Sequence, residues 1–495
     1  MSRTGRTGSG TALLAVLMPA MIGTVIAGDM VNLVLPSIGA DFDASEAELA
    51  WVVTGFMLVF SIGIPFYGRV SDRIGLRRLF CFALLTFAAG SLICALAPDL
   101  RVLVLGRIVT GVGAAAIPVL SIIAVTRSMP ADRRGLGIGV ISAASGVGTA
   151  AGPAVGGGIG QALGWPALFW LMLVLALALV PAAMRVLPDD APGDTNPFDL
   201  AGGVLLGLGA GLVLFGITQA QIAGATAPAS WGSLVAAAGA LALFGRRTVR
   251  SPQPFVPPAL FTNRVYRTAV AVAFLAMIVY LGALVFVPLL LVDVNGLGPG
   301  AGALVMVPAG IAVAAVSPLI GRIADRIGTR PLVLTGLAGM TVFALFLSTF
   351  TGGTSAIPAG LGIFGLATAS ILVLTPIISA AANALPDDQI GVGLGILQGA
   401  QFLGASTGPA LFGVLVTARR QSGGGAANPL YDGLEGAPYS DVFLSMAVLA
   451  MAALAVAWRM RPTPVTGGTG TEAGPAAVHG SAPSGRPDGA RHSDR

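Results

Sequence analysis

Two charged residues sit where charge is expensive. Asp29 and Arg107 both fall inside apolar runs long enough to cross a bilayer. A carboxylate is costly to bury in its charged form, so an acid in that setting can take up and release a proton, as a proton carrier must. A guanidinium stays a cation; inside a span it should face a cavity and pair with an acid or a substrate. A plainer reading stands beside each. Near the outer interface Asp29 would merely pair or cap a helix, and Arg107, a turn or two from the end of its run, would snorkel to the headgroups. Asn32 lies three residues after Asp29, and Gln398 and Gln401 share a helix face three apart. All three are candidates for a substrate cavity, with ordinary hydrogen bonding between helices as the alternative. The two histidines, His479 and His492, lie in the C-terminal tail. No P-loop or HExxH pattern occurs, so ATP-driven pumping, a metal, a cofactor and an enzyme activity are not expected.

The elements that must position these residues are membrane spans. Of 495 residues, 55% are hydrophobic and 10% charged, with a mean hydropathy of +0.87. A soluble domain carries about 25% charged residues. Runs of about 20 apolar residues occur fourteen times, near 11–38, 48–68, 77–97, 101–125, 135–160, 166–187, 199–220, 230–249, 265–292, 300–321, 330–350, 355–384, 389–416 and 440–460. Residues 462–495 are rich in Gly, Pro, Ser and Thr and are expected to form a disordered tail. All 27 basic residues are Arg, scattered between the runs rather than gathered in a patch, which argues against nucleic acid. With the N-terminus inside, inner segments hold 23 of them, and outer segments hold only Arg101, Arg419 and Arg420. Both termini are therefore expected in the cytoplasm of a multi-pass protein of the cell inner membrane.

The chain is duplicated. Residues 68–78, GRVSDRIGLRR, return at 321–330 as GRIADRIGTR. Gly68, Asp72, Arg73, Gly75 and Arg77 match Gly321, Asp325, Arg326, Gly328 and Arg330 at the same spacing. Pro65 and Pro318 precede the two copies alike, and residues 135–157 align without a gap on 391–413. Pro36 likewise matches Pro288, so spans 1–6 correspond to spans 9–14. Spans 7 and 8 are an insertion. The expected divisions are a six-helix bundle over 11–187, an inserted pair with linkers over 188–264, and a second six-helix bundle over 265–461. Parallel halves of this kind form a substrate site at their interface, exposed to each side in turn. Neither Asp29 nor Arg107 survives in the second copy, where Leu281 and Ile363 stand instead. Duplication does not keep them for packing.

The repeated Gly-x-x-x-Asp-Arg-x-Gly-x-Arg loop resembles the signature between helices 2 and 3 of the major facilitator superfamily. Arg107 with Gly111 and Gly113 resembles its helix 4 signature. Gly148, Gly152, Pro153, Gly156 and Gly157 resemble the helix 5 motif of its exporting antiporters. Fourteen spans point to the drug:proton antiporters with two extra central helices. Two positions depart from that pattern. Ala27 stands where the fourteen-helix proteins usually carry an Asp, and Thr110 stands where the helix 4 motif usually has Gln.

The resemblance implies an all-α integral membrane protein, two pseudo-symmetric six-helix bundles plus two inserted helices. It implies a proton-coupled exporter of small apolar or amphipathic compounds, working as a monomer with protons and the lipid bilayer as its other partners. Asp29 and Arg107 would couple the proton. The ten repeated loop residues would hold the cytoplasmic gate shut, as their spacing suggests, since topology alone needs charge but no pattern. A dedicated exporter of one natural product is the alternative, with an uptake symporter or a non-transporting sensor further away.

Overall fold

A computed structural model of the chain describes residues 5–188, 199–224, 227–351, 355–386, 389–431, 433 and 435–460. The side chains of Asn32, Asp72 and Pro153, and the tail expected over 462–495, lie outside the described residues. Among the described residues every regular element is helical. The long helices are α1 (Gly5–Asp29), α2 (Glu46–Ile74), α3 (Leu76–Ala95), α4 (Leu100–Ser128), α5 (Arg134–Leu163), α6 (Pro166–Val186) and α7 (Leu200–Ala223). They continue as α8 (Pro228–Arg250), α9 (Arg264–Asp293), α10 (Pro299–Ile327), α11 (Thr329–Phe350), α12 (Ile357–Asn383), α13 (Ile390–Ser422) and α14 (Ala437–Trp458). Thirteen are long and apolar enough to cross a membrane. The remaining one, α5, carries the expected fifth span.

The first span differs from the continuous helix expected over 11–38. Helix α1 stops at Asp29, a 3-10 turn covers Met30–Leu33, and a short helix covers Leu35–Phe42. Pro36 sits in the first turn of that short helix, where its missing N–H costs nothing, whereas inside a continuous helix its ring would clash with the preceding turn. Pro288, the matching proline, lies inside an unbroken α9. Equal prolines at equal positions have produced two backbones.

Each repeated loop is a corner between two helices with Gly at the turn. Gly75 joins α2 to α3 with φ 89°, and Gly328 joins α10 to α11 with φ 85°. A side chain at either position would be strained, because Cβ opposes positive φ. These two corners, with Arg69, Arg73, Arg77, Arg322, Arg326 and Arg330 around them, mark what is called here the Arg-rich end.

Packing repeats with the sequence. In the first half α1 contacts α5 and α6, α4 contacts α2 and α3, and α3 contacts α6; α9 to α14 repeat every one of these pairings. The halves meet through two matching seams, α5 on α10 and α13 on α2. Helices α4 and α12 are innermost, with 83% and 72% of their most apolar stretches buried. The inserted pair packs against itself, and α7 reaches both α2 and α13. The linker after α8 is docked too, since Phe255 is buried and stacks on Phe66 of α2 at 6.1 Å between ring centres.

Candidate functional site

At the Arg-rich end the seams close on glycine. A Cβ at Gly68 would strike the carbonyl oxygen of Gly391 and the Cα of Gly395, and one at Gly321 would strike the carbonyl of Gly135. These contacts are with backbone, so nothing can rotate aside. Close approach of this sort is what small residues provide where apolar burial cannot drive helices together. On the α5–α10 seam, Asp325 Oδ1 accepts from the N–H of Gly135 at 2.9 Å and Oδ2 from that of Leu136 at 3.1 Å. These are orphan donors of the first turn of α5, and a carboxylate there also meets the positive end of the helix dipole. A cleft of about 530 Å³ lies beside this contact, lined by Asp132, Arg133, Leu136, Arg322, Asp325 and Arg326. Residues further along, Gly139 against Ser317 and Gly146 against Val313, continue the contact toward the middle of the bundle.

The last arginine of each loop turns into its own half. Arg77 Nη1 donates to the carbonyl of Met184 near the end of α6 at 3.4 Å, and Arg330 Nη2 donates to that of Trp458 at the end of α14 at 3.3 Å. A cation at a helix C-terminus meets the negative end of the dipole. The copied motif therefore has a part within each bundle as well as a part between them. Arg73 is half-buried and Arg326 exposed.

Arg107 is fully buried in α4. Its Nη1 donates to the carbonyl of Ala27 at 2.8 Å, its Nε donates to that of Val52 at 3.0 Å, and the guanidinium carbon stands 4.2 Å from the centre of the Phe56 ring. The break in α1 explains the first bond. Ala27 lies within the last turn, whose carbonyls have no helical partner. Nη2 is buried without a partner among the described residues. No described carboxylate bonds this arginine, so it joins α1, α2 and α4 through backbone oxygens rather than through an acid.

Asp29 closes α1 two residues beyond the carbonyl that Arg107 holds. It is half-buried and has no hydrogen bond or ion pair among the described residues. The glycines of the α5 motif lie directly against it. A Cβ at Gly152 would come within 2.9 Å of Asp29 Cβ, one at Gly148 within 2.7 Å of Val25 Cβ, and one at Gly156 would strike the carbonyl of Met30. Gly157 lies beside Leu33. Three glycines four apart form one stripe of α5, and that stripe cradles the broken end of α1.

Gln398 is half-buried, with Oε1 buried and unpartnered among the described residues, and Gln401 is buried. Both lie on α13 along its seam with α2, between the contacts of Gly395 with Gly68 and of Phe402 with Phe60, whose rings are 4.7 Å apart. Counted along the helices from the Arg-rich end, the glutamines lie about 12–17 Å in, and Gly152 with Asp29 about 27 Å. The two groups are apart in depth. Among the described residues no cluster of three or more His, Cys, Asp or Glu could hold a metal ion.

Sequence reasoning missed a pair of clasps at the opposite end. Trp165 Nε1, just before α6, donates to Asp41 Oδ2 at 2.8 Å. In the second half the hydroxyl of Tyr439 in α14 donates to Asp293, which also accepts from Arg420 Nη2 at 2.7 Å. Asp41 and Asp293 are separated by the same 252 residues as Pro36 and Pro288, so the signal was present in the repeat. Beside the second clasp Arg419 pairs with Asp441, whose other oxygen accepts from the N–H of Ala427 at 2.7 Å and so docks the α13–α14 loop.

Known proteins resemble this chain in sequence and in fold. The chain is similar to the multidrug resistance protein Stp of Mycobacterium tuberculosis, 30% identical over 413 residues, covering 83% of this chain and 75% of that one. It is 31% identical to the drug efflux pump JefA of the same organism over 397 residues, 79% of this chain and 77% of that one. The crystal structure of the human organic anion transporter MFSD10 superposes with a TM-score of 0.64 at 15% identity, covering 90% of this chain and 99% of that one. The sequence model of the Major Facilitator Superfamily matches residues 17–409. Duplicated halves, paired seams and these likenesses agree, and the chain belongs to the Major Facilitator Superfamily.

Proposed function

We propose that this protein exports small apolar or amphipathic compounds across the cytoplasmic membrane in exchange for protons, the Arg-rich end and both termini facing the cytoplasm. The bundles of 11–187 and 265–461 rock about the inserted region of 188–264. The observation that carries the reading is the pair of matching seams, closed at the Arg-rich end by backbone contact and by Asp325 on α5. Such contacts break together when two halves rock, and an alternating-access cycle requires this. With the Arg-rich end closed, this is the state that would release substrate outward and take up a proton.

Asp29 is the proton carrier in this scheme. It lies deep in the first half, unpaired, at a helix break packed on a glycine stripe. Arg107 holds that break in place. Asn32, Gln398 and Gln401 contribute polar contacts to the substrate path, and the repeated loops gate its cytoplasmic side. The names carried by Stp and JefA support export of drug-like compounds, and the protein acts as a monomer.

Inverted membrane vesicles test the reading. A fluorescent lipophilic cation and a neutral lipophilic dye should accumulate when the lumen is acidic, and accumulation should collapse on adding a protonophore. Accumulation that ignores the pH gradient would exclude proton coupling. Absence of transport for a broad panel of such compounds would exclude the substrate class.

A further inference from the structure

At the Arg-rich end of the inserted pair lies a second cleft, of about 330 Å³, lined by Leu205 of α7 and by Leu243, Arg246, Arg247 and Arg250 of α8. Leu243 sits seven residues, about 10 Å, deeper along α8 than Arg250. The cleft therefore grades from cationic to apolar along the direction of the bilayer normal. One of its arginines is fixed. Arg247 Nε donates to Asp199 Oδ1 at 2.6 Å, and Asp199 in turn caps α7 by accepting from the N–H of Gly202 at 2.9 Å. Arg246 and Arg250 are exposed one turn apart and make no ion pair among the described residues.

The surroundings say what would enter. Only 17% of the most apolar stretch of α8 is buried in the protein, so most of this helix meets lipid. Val204 and Leu208 on α7 and Leu241 and Leu243 on α8 are exposed along the same pair. Arg246 and Arg250, beside the Asp199-paired Arg247 at one end of an apolar groove, match an amphiphile with an anionic head and an acyl tail. A free phosphate would use the cations and leave the groove empty. Orientation in the membrane needs charge at this end, but neither a cleft nor a pinned arginine.

We propose that the α7–α8 cleft binds the headgroup of an anionic phospholipid, with an acyl chain lying along the exposed apolar face of the pair. The site belongs to the insertion, not to the duplicated halves. It stands whether or not the protein exports drugs.

The test uses the full chain in neutral detergent micelles titrated with phosphatidylglycerol or phosphatidylcholine, with bound lipid counted by native mass spectrometry. The wild type should prefer phosphatidylglycerol, and R246Q/R250Q should weaken that preference by about fivefold per arginine. R264Q/R267Q, which removes two exposed arginines from the start of α9 at the same end, should leave it intact. Inorganic phosphate in large excess should not displace the lipid. Equal loss in both double variants would reduce the effect to diffuse charge and overturn the proposal. So would displacement by phosphate, which makes the site one for a small anion. A wild type with no preference for phosphatidylglycerol would overturn it as well.

Discussion

Arg107 is the residue whose setting most constrains the chemistry. Among the described residues two carbonyls and an aromatic face hold this buried cation, and losing it would strand both carbonyls in the core. Its bonds reach one residue near the break of α1 and one in α2, so it acts as a bolt through three helices. Arg107→Met should destabilise the protein by about 1–3 kcal/mol, the range expected when buried polar groups lose their partners. Thermal unfolding in detergent would read this as a lower midpoint, and an unchanged midpoint would show that the bolt bears no load. Asp29 is expected to behave differently, because its carboxylate bonds no group among the described residues. Asp29→Asn should fold normally and abolish uphill efflux, while exchange of substrate down its own gradient survives. Active efflux of both cationic and neutral compounds by this variant would remove Asp29 from the coupling mechanism.

At the scale of the element, the seams and the broken helix matter most. Gly321→Val would push a side chain into the backbone of Gly135, and overpacking of that kind costs about 1–3 kcal/mol. The cost falls only on the conformer in which the Arg-rich end is closed. Spin labels placed on the α2–α3 and α10–α11 corners should therefore report a longer mean separation in Gly321→Val than in the wild type. An unchanged distance distribution would mean that the seam does not control the equilibrium. Asp325→Asn should act in the same direction. The amide offers one acceptor oxygen to two N–H donors, so one of the bonds to Gly135 and Leu136 is lost, about 1 kcal/mol, together with the charge–dipole part, about 0.3–1 kcal/mol. Between α1 and α9 the contrast is one of function. The unbroken helix carries Leu281 where the broken one carries Asp29, and discontinuous helices recur where transporters handle ions and substrates.

On the scale of the whole molecule, the two halves repeat each other's contacts, and the insertion joins the seam side by α7 and by Phe255 of the linker after α8. Sidedness can be checked without a transport assay. Gln253 and Gly425 are both exposed, one in the linker after α8 and one in the α13–α14 loop. In intact cells an impermeant thiol reagent should label Gly425→Cys and spare Gln253→Cys. The reverse pattern would invert the proposed orientation.

Self-similarity and apolar run length are properties of a string of residues, so the sequence by itself determined the long helices, the duplication and the glycines at the corners. It also singled out Asp29 and Arg107, because a charge in an apolar run and a failed match between copies both show in one dimension. Tertiary structure alone decided what those residues lie against. Pro36 and Pro288 are indistinguishable on the page, yet only one helix breaks, since the break depends on what packs against it. Arg77 and Arg330 turn into their own bundles, and Arg107 finds Ala27 and Val52, through carbonyl oxygens that every residue possesses. An acceptor common to the whole chain leaves no mark in the sequence, and its choice is made only when helices distant along the chain come to lie side by side.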